Sequence, residues 1–370
     1  MFCNESIDLG GCRNSNPGTV SEVVCAVVNG EDQIFLEKLG GPVGQGSEWK
    51  LLIRRGRVLL VMPATREGIK AGTGMYSPQR KVARLVNWCL VNVPGVWRLL
   101  PSVRWKVDSG SPLGRIVEDS NCQPGAILFG NPDQAGRRSL MVSEGLDPMV
   151  VKIGVGEIAA KLVRSEGEFI EAESNDCVEM SALDYRDGGE DWAAFGVPFL
   201  EGGTVDLSRL CQILASWLEE KSVPFGELKT AGILENSAYP RAKKIFDGCV
   251  DLRLKPSRVH GDLAPWNVRR NQAGEPGMID WEEGRRSDVP CWDLVHFIFQ
   301  QAVLVEGLDP RATQFEVLKN LKTEPARALL ELSGWGDKVN LLFGSYLIAM
   351  ATEDTHVAEI LENLDYESIA

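Results

Sequence analysis

Apolar positions recur along the chain in alternating and in helix-like patterns, and three stretches of different character result. In residues 1–105, "SEVVCAVVNG" (21–30) and "QIFLEKL" (33–39) read as β segments, and "KLLIRRGRVLLVMP" (50–63) reads as two strands around an Arg55-Gly56 turn. "SPQRKVARLVNWCLVNVPG" (77–95) predicts a helix. Ser77 can cap it and Pro78 suits its first turn. Val82, Leu85, Val86, Cys89, Leu90 and Val93 recur at helical spacing, and Pro94-Gly95 stop it. No chemistry is legible here, so a packing or substrate-covering role is expected.

Residues 106–197 change pattern. "GAILFGNPDQAGRRSLMVSEG" is strand, turn, strand, with the turn formers Gly130, Asn131, Pro132 and Gly136. "PMVVKIGVG" is an apolar strand with one lysine, Lys152. "GEIAAKLVRSEGEFIEAES" is a helix, and "SALDYRDGGEDWAAFGVPFLEGG" closes the stretch as a hairpin and an exit segment. On the helix, Ile158, Leu162 and Phe169 fall on one stripe, with Glu166 in its middle. A carboxylate on an apolar face is costly unless paired. Glu166 therefore either reaches solvent at the stripe's edge or pairs with a buried cation, and Lys152 is the nearest upstream candidate. A strand lysine followed by a helix glutamate is the arrangement with which kinases hold nucleotide phosphates.

Residues 198–370 read as mostly helical. "DLSRLCQILASWLEEK" starts at a capping Asp206, "AYPRAKKIFDGCVDL" and "PCWDLVHFIFQQAVLVEGL" follow, and "TEDTHVAEILENLDYESIA" is an acidic amphipathic tail.

Composition narrows the classes. The chain has 370 residues, enough for two or three units, with 44% hydrophobic and 25% charged residues, an ordinary globular balance. A net charge of −13 argues against a nucleic-acid backbone as partner. The nine cysteines include no C-x-x-C pair, which favours reduced thiols over a zinc or redox site. No signal-peptide pattern and no long apolar run occur, so a cytoplasmic protein with no membrane partner is expected.

The chemistry concentrates in "VHGDLAPWNVRRN" (259–271) and "GMIDWEE" (277–283). Asp262 and Asn267 are five apart, and Asp280 ends a short strand. Phosphoryl transfer needs a metal held across the phosphates, a carboxylate on the acceptor hydroxyl and a cation on the phosphates. Mg2+ keeps waters and takes few protein oxygens. Asn267 and Asp280 can supply an amide and a carboxylate oxygen, which leaves Asp262 as the base.

"HGDLAPWN" resembles the H-G-D-x-x-x-x-N catalytic loop of the aminoglycoside phosphotransferase/choline kinase-like family. "IDWE" resembles that family's metal-aspartate segment, and "PCWDLVHF" the helix that follows it. The order of motifs covers roughly residues 110–350. The resemblance implies an α+β, two-lobed protein kinase-like fold, with a β-rich N-lobe at 106–197, a mostly helical C-lobe at 198–370 and an extra N-terminal α/β region at 1–105. It implies ATP and Mg2+ as cofactors and a small-molecule acceptor. Asp262 would be the catalytic base, Asn267 and Asp280 would bind Mg2+, and Lys152 supported by Glu166 would contact ATP phosphates. The segment from Val197 through Phe199 to Leu200 would read adenine by its backbone. His260 would be structural, and Asp293, otherwise a helix cap, would brace the catalytic loop.

Departures remain. "FGNPDQAGRRS" is not a G-x-G-x-x-G loop, and Arg137 and Arg138 either touch phosphates or are solvated. Trp266 reads as packing, and Glu282 either orients the loop or lies on the surface. The expected activity is transfer of the γ-phosphate to a hydroxyl of a sugar, an aminoglycoside-like compound or an amino alcohol. The alternative is a nucleotide-binding pseudokinase with a regulatory or scaffolding role. A metallohydrolase is disfavoured, since only His296 and His356 lie beyond His260.

Overall fold

A computed structural model describes residues 28–351 together with Val357 and Ile360, apart from 76–80, 131–135, 146, 201, 204, 238, 240, 241 and 272. Most of the β segment expected at 21–30, the Ser77-Pro78 cap, the centre of the 130–136 turn, His356 and most of the C-terminal tail lie outside the described residues; within 28–30, Asn29 caps and Gly30 opens a helix rather than continuing a strand. The chain divides into two compact units, Phe2–Asn175 with Ser181–Glu201 and Asp176–Met180 with Gly202–Ala370. The class is α+β, as expected.

The first unit is built on one eight-stranded antiparallel sheet. Its strands are β1 (Val43–Arg54), β2 (Arg57–Pro63), β3 (Ser102–Trp105), β4 (Pro124–Phe129), β5 (Arg138–Ser143), β6 (Met149–Val155), β7 (Tyr185–Gly188) and β8 (Trp192–Pro198). Their spatial order is β3-β1-β2-β4-β5-β6-β8-β7, so strands from either side of residue 105 share one sheet. The β1–β2 hairpin turns at Arg55-Gly56 as its sequence predicts, with positive φ at both residues. One apolar layer joins Val151 and Ile153 to Leu36 and Leu39 of the Gly30–Gly40 helix and to Leu113 and Ile116 of the Pro112–Ser120 helix. A second joins Leu60, Met62 and Ala126 to Ile69 and Leu90 of two further helices, Arg66–Met75 and Lys81–Asn92.

"QIFLEKL" is helix, not strand. Asn29 caps Gly30–Gly40 by accepting from the Asp32 N–H at 2.8 Å, and Glu31 and Asp32 favour the helix N-terminus. Leu36 and Leu39, three apart, are fully buried, a helical spacing that a strand would split between two faces. The Lys81–Asn92 helix forms, yet only part of its expected stripe is covered: Leu90 is buried and Leu85 is exposed.

The Glu157–Glu173 helix packs on β6 and β8 by a face rotated from the expected stripe. Ile158 and Leu162 are partly exposed, beside Gly136. Ala159, Ala160, Val163, Glu166, Gly167 and Ile170 face inward. Small residues decide this. A Cβ on Gly154 would stand 2.3 Å from Ala159 O, so glycine lets this helix approach the sheet closely.

The second unit is mainly helical, with three two-stranded ribbons. Asp206 caps the Leu207–Ser216 helix by accepting from the Arg209 N–H, as expected. The remaining support comes from Trp292–Gln300, Pro310–Leu321, Glu324–Ser333 and Val339–Met350, and a π-helical turn at Gln301–Val305 follows the first. Cys177, Cys211, Cys249 and Cys291 are buried free thiols, and burial pushes Cys211 and Cys291 up to about 12. No described helix is long and apolar enough to cross a membrane.

Candidate active site

In the second unit, the strand Ser257–Val259 leads into His260, Gly261 and Asp262. Gly261 has φ +90°, and a Cβ there would stand 2.6 Å from Glu283 Cβ and O, so glycine alone permits this crossing. The Asp262 side chain is 41% exposed. Asn267 is buried, and its Nδ2 donates to Asp262 O at 2.8 Å and to Asp262 Oδ2 at 3.3 Å. Val268–Arg270 then pairs with Pro276–Met278, and the Ile279 N–H donates to Asn267 O at 3.0 Å. Asp280 is thereby returned to the Asn267 backbone across a thirteen-residue separation in sequence. It adopts φ 70°, a left-handed conformation that aspartate tolerates better than most residues.

Asn267 and Asp280 could supply hard-oxygen donors. Both hydrogen bonds of the Asn267 amide nitrogen go to Asp262, which fixes the amide plane, and Asn267 Oδ1 accepts no hydrogen bond among the described residues. One oriented amide oxygen and one carboxylate, Asp280, fit a cation that keeps most of its waters, which describes Mg2+. Asp262 is partly solvated and carries no such metal geometry of its own.

His260 and Asp293 tie the loop down. The His260 N–H donates to Asp293 Oδ2 at 2.7 Å, and the Gly261 N–H to Oδ1 at 3.0 Å. His260 Nε2 lies 2.9 Å from Ile279 O, and the ring packs at a tilt against Trp281, with centroids 4.5 Å apart. A carbonyl only accepts, so Nε2 carries the proton and bridges the loop to the segment bearing Asp280. Burial pushes the Asp293 carboxyl up, opposed by His260 and the two backbone N–H groups. Burial also pushes the His260 pKa down from 6.5, against the pull of Asp293.

A pH dependence follows from His260. Its folded pKa is depressed below the unfolded one, so its contribution to stability is complete above about pH 6.5 and is lost as pH falls toward the folded pKa, at about 1.4 kcal/mol per pH unit. Urea unfolding at pH 7.5 and 5.5 should record that loss in the wild type and a shallower one in His260→Asn. Equal slopes in the two proteins would show that this histidine does not titrate as described.

In the first unit, Lys152 Nζ lies 2.5 Å from Glu166 Oε2, with both side chains buried. Lys152 points away from Val151 and Ile153, toward the face covered by the Glu157–Glu173 helix. Val197 pairs with Val150 on β6, and the Phe199 N–H donates to Pro148 O at 2.8 Å. That N–H is thus committed within the protein and does not read a base here. Arg137 is not solvated. Its side chain is 10% exposed and lies 2.8 Å from Asp32 Oδ1, over the rings of Phe35 and Phe129. Trp266 and Glu282 are half-buried.

Two side chains at the site were not singled out by the sequence. His296 Nε2 lies 2.9 Å from Asp262 Oδ1, and Tyr346 Oη 3.1 Å from His296 Nδ1. A signal for His296 existed: it stands three residues after Asp293 on an apolar helix, which puts both on adjoining faces. Tyr346 had none, because it comes from a helix fifty residues further on.

No family model matches this chain, and no curated protein matches it. Solved structures to which it is similar include the amicoumacin kinase hAmiN in complex with AMP-PNP, Ca2+ and Ami, at 14% identity over 67% of this chain and 91% of that one, with a TM-score of 0.38. They also include the choline kinase LicA from Streptococcus pneumoniae, at 13% identity over 67% and 94%, TM-score 0.37. A third is the macrolide 2'-phosphotransferase MphH from Brachybacterium faecium, at 12% identity over 68% and 97%, TM-score 0.41.

Proposed function

We propose that this chain is a cytoplasmic, ATP- and Mg2+-dependent phosphotransferase that carries the γ-phosphate to a hydroxyl of a small molecule: a sugar, an aminoglycoside-like compound or an amino alcohol. The observation behind this reading is the hydrogen-bonded pairing of Asp262 with Asn267, with Asp280 returned beside them. It separates an exposed carboxylate, suited to a proton, from an oriented amide and a second carboxylate, suited to a cation.

Asp262 accepts the proton of the acceptor hydroxyl as that oxygen bonds to the γ-phosphorus. The bond to the β-phosphate's bridging oxygen breaks, and ADP leaves. Mg2+, when bound through Asn267 and Asp280, supplies positive charge to the phosphate oxygens. Lys152 holds phosphate oxygens, kept in place by Glu166, as the buried pair supports. Adenine is read by backbone of the Val197–Leu200 segment other than the Phe199 N–H.

The test is label transfer from γ-labelled ATP with Mg2+ to a panel of sugars, amino alcohols and aminoglycosides. Transfer to one of these classes is expected. Binding of Mg-ATP with no transfer to any member would overturn the reading in favour of a nucleotide-binding scaffold.

A further inference from the structure

We infer that His296 and Tyr346 form a hydrogen-bonded chain that holds Asp262 by one carboxylate oxygen and leaves the other for the acceptor hydroxyl. This rests on the role given to Asp262 above. His296 Nε2 lies 2.9 Å from Asp262 Oδ1. A carboxylate at its working charge only accepts, so Nε2 carries the proton. The Nδ1 of a neutral imidazole is then an acceptor, and the Tyr346 hydroxyl at 3.1 Å donates to it. Every donor in the chain points the same way, from Tyr346 to His296 to Asp262, and aligned hydrogen bonds polarise one another.

Burial separates this arrangement from an ordinary core histidine. His296 is 2% and Tyr346 0% exposed, while the Asp262 side chain is 41% exposed. A core imidazole would be satisfied among buried groups. This one spends its donor on a carboxylate that opens to solvent. Without it, the short Asp262 side chain would keep only the longer Asn267 contact against a change of rotamer among the described residues. Oδ1 is therefore occupied by a well-made bond, and among the described residues Oδ2 meets only the longer 3.3 Å contact from Asn267 Nδ2. Oδ2 is the oxygen that takes the proton.

The support is rigid. Asp293, three residues before His296 on the same helix, fixes the backbone of His260 and Gly261. One helix thus sets both the path of the loop and the rotamer of its base. The helix runs on into the π-helical turn Gln301–Val305, a feature that recurs at functional sites. His296 is a positioning residue, acting through Asp262.

Two measurements test this. Long-range 1H–15N correlation spectra of the wild type should place the His296 proton on Nε2; a proton on Nδ1 would overturn the chain. In steady-state assays with Mg-ATP and the acceptor returned by label transfer, or with water as acceptor, His296→Leu should lower kcat by about 10- to 100-fold, the range seen when an orienting partner is lost. KM for ATP should stay within about twofold. His296→Gln, whose amide can donate, should recover part of the loss, and Tyr346→Phe should lose less than His296→Leu in the same direction. Unchanged kcat in a folded His296→Leu, or Gln no better than Leu, would overturn the inference. If Asp262→Asn leaves transfer intact, the base role given to Asp262 fails whatever His296 does, and the tautomer still decides the chain.

Discussion

Asp262→Asn is expected to cut phosphoryl transfer by about two to four orders of magnitude, the span contributed by a positioned general base. The substitution keeps shape and removes the proton acceptor. It also meets an environment tuned to a carboxylate. His296 Nε2–H and the Asn267 amide both aim donors at position 262, at 2.9 and 3.3 Å. An asparagine can accept only one of them with its single oxygen and must present its own NH2 to the other. The bond to His296 is the shorter, so the amide nitrogen should turn toward Asn267. Because the side chain is 41% exposed, that mismatch can relax into water, and stability should change by less than about 1 kcal/mol. Nucleotide contacts are assigned to other residues, so affinity for Mg-ATP should hold. Initial rates of ADP formation, thermal unfolding and calorimetric nucleotide binding read these outcomes separately. A rate within about tenfold of wild type would remove Asp262 as base.

Local chemistry was the legible part of this sequence. The Arg55-Gly56 hairpin, the cap at Asp206 and the strand bearing Lys152 rest on turn formers and alternation, which act over a few residues. The pairing of Asp262 with Asn267 spans five residues and is likewise local. Most of what failed depends on packing from a distance. "QIFLEKL" looks strand-like in isolation; the Asn29 cap just before it is a local signal that was missed, and the burial of Leu36 and Leu39 on one helical face is the part that depends on distant packing. Glu166 is buried on a face different from the stripe that drew notice to it, because the close approach at Gly154 selects the alanine side of the helix. His296 and Tyr346 converge on Asp262 from 34 and, through the imidazole, a further 50 residues away. No short motif encodes that convergence.

Arg137 shows the same dependence on distance, and its partner carries the largest expected effect on stability. Asp32 is 1% exposed. Its Oδ2 accepts from the Val58 N–H at 2.7 Å, and its Oδ1 lies 2.8 Å from Arg137 Nη1 and 3.4 Å from Arg57 Nη2. Arg137 in turn donates to Val58 O at 3.0 Å and to Gly130 O at 3.2 Å. One carboxylate thus joins the Gly30–Gly40 helix, β2 and the turn between β4 and β5. Asp32→Ala would leave a buried guanidinium and a backbone N–H without their acceptor, at a cost of about 3–5 kcal/mol. Arg137→Leu should also destabilise, because it removes the shorter cation contact to the buried Asp32 carboxylate and leaves it the Val58 N–H and the longer contact to Arg57. Replacing both, Asp32→Leu with Arg137→Leu, should recover much of the loss, since an apolar pair can fill such a site without stranding a charge. Urea unfolding of the wild type, Asp32→Leu, Arg137→Leu and the double variant gives the coupling directly. The same variants separate this role from the phosphate contact that the turn's sequence left open. A phosphate ligand at Arg137 would show in Arg137→Leu as weakened ATP binding with stability intact. The geometry calls for the reverse: lost stability, with ATP affinity retained by the folded protein.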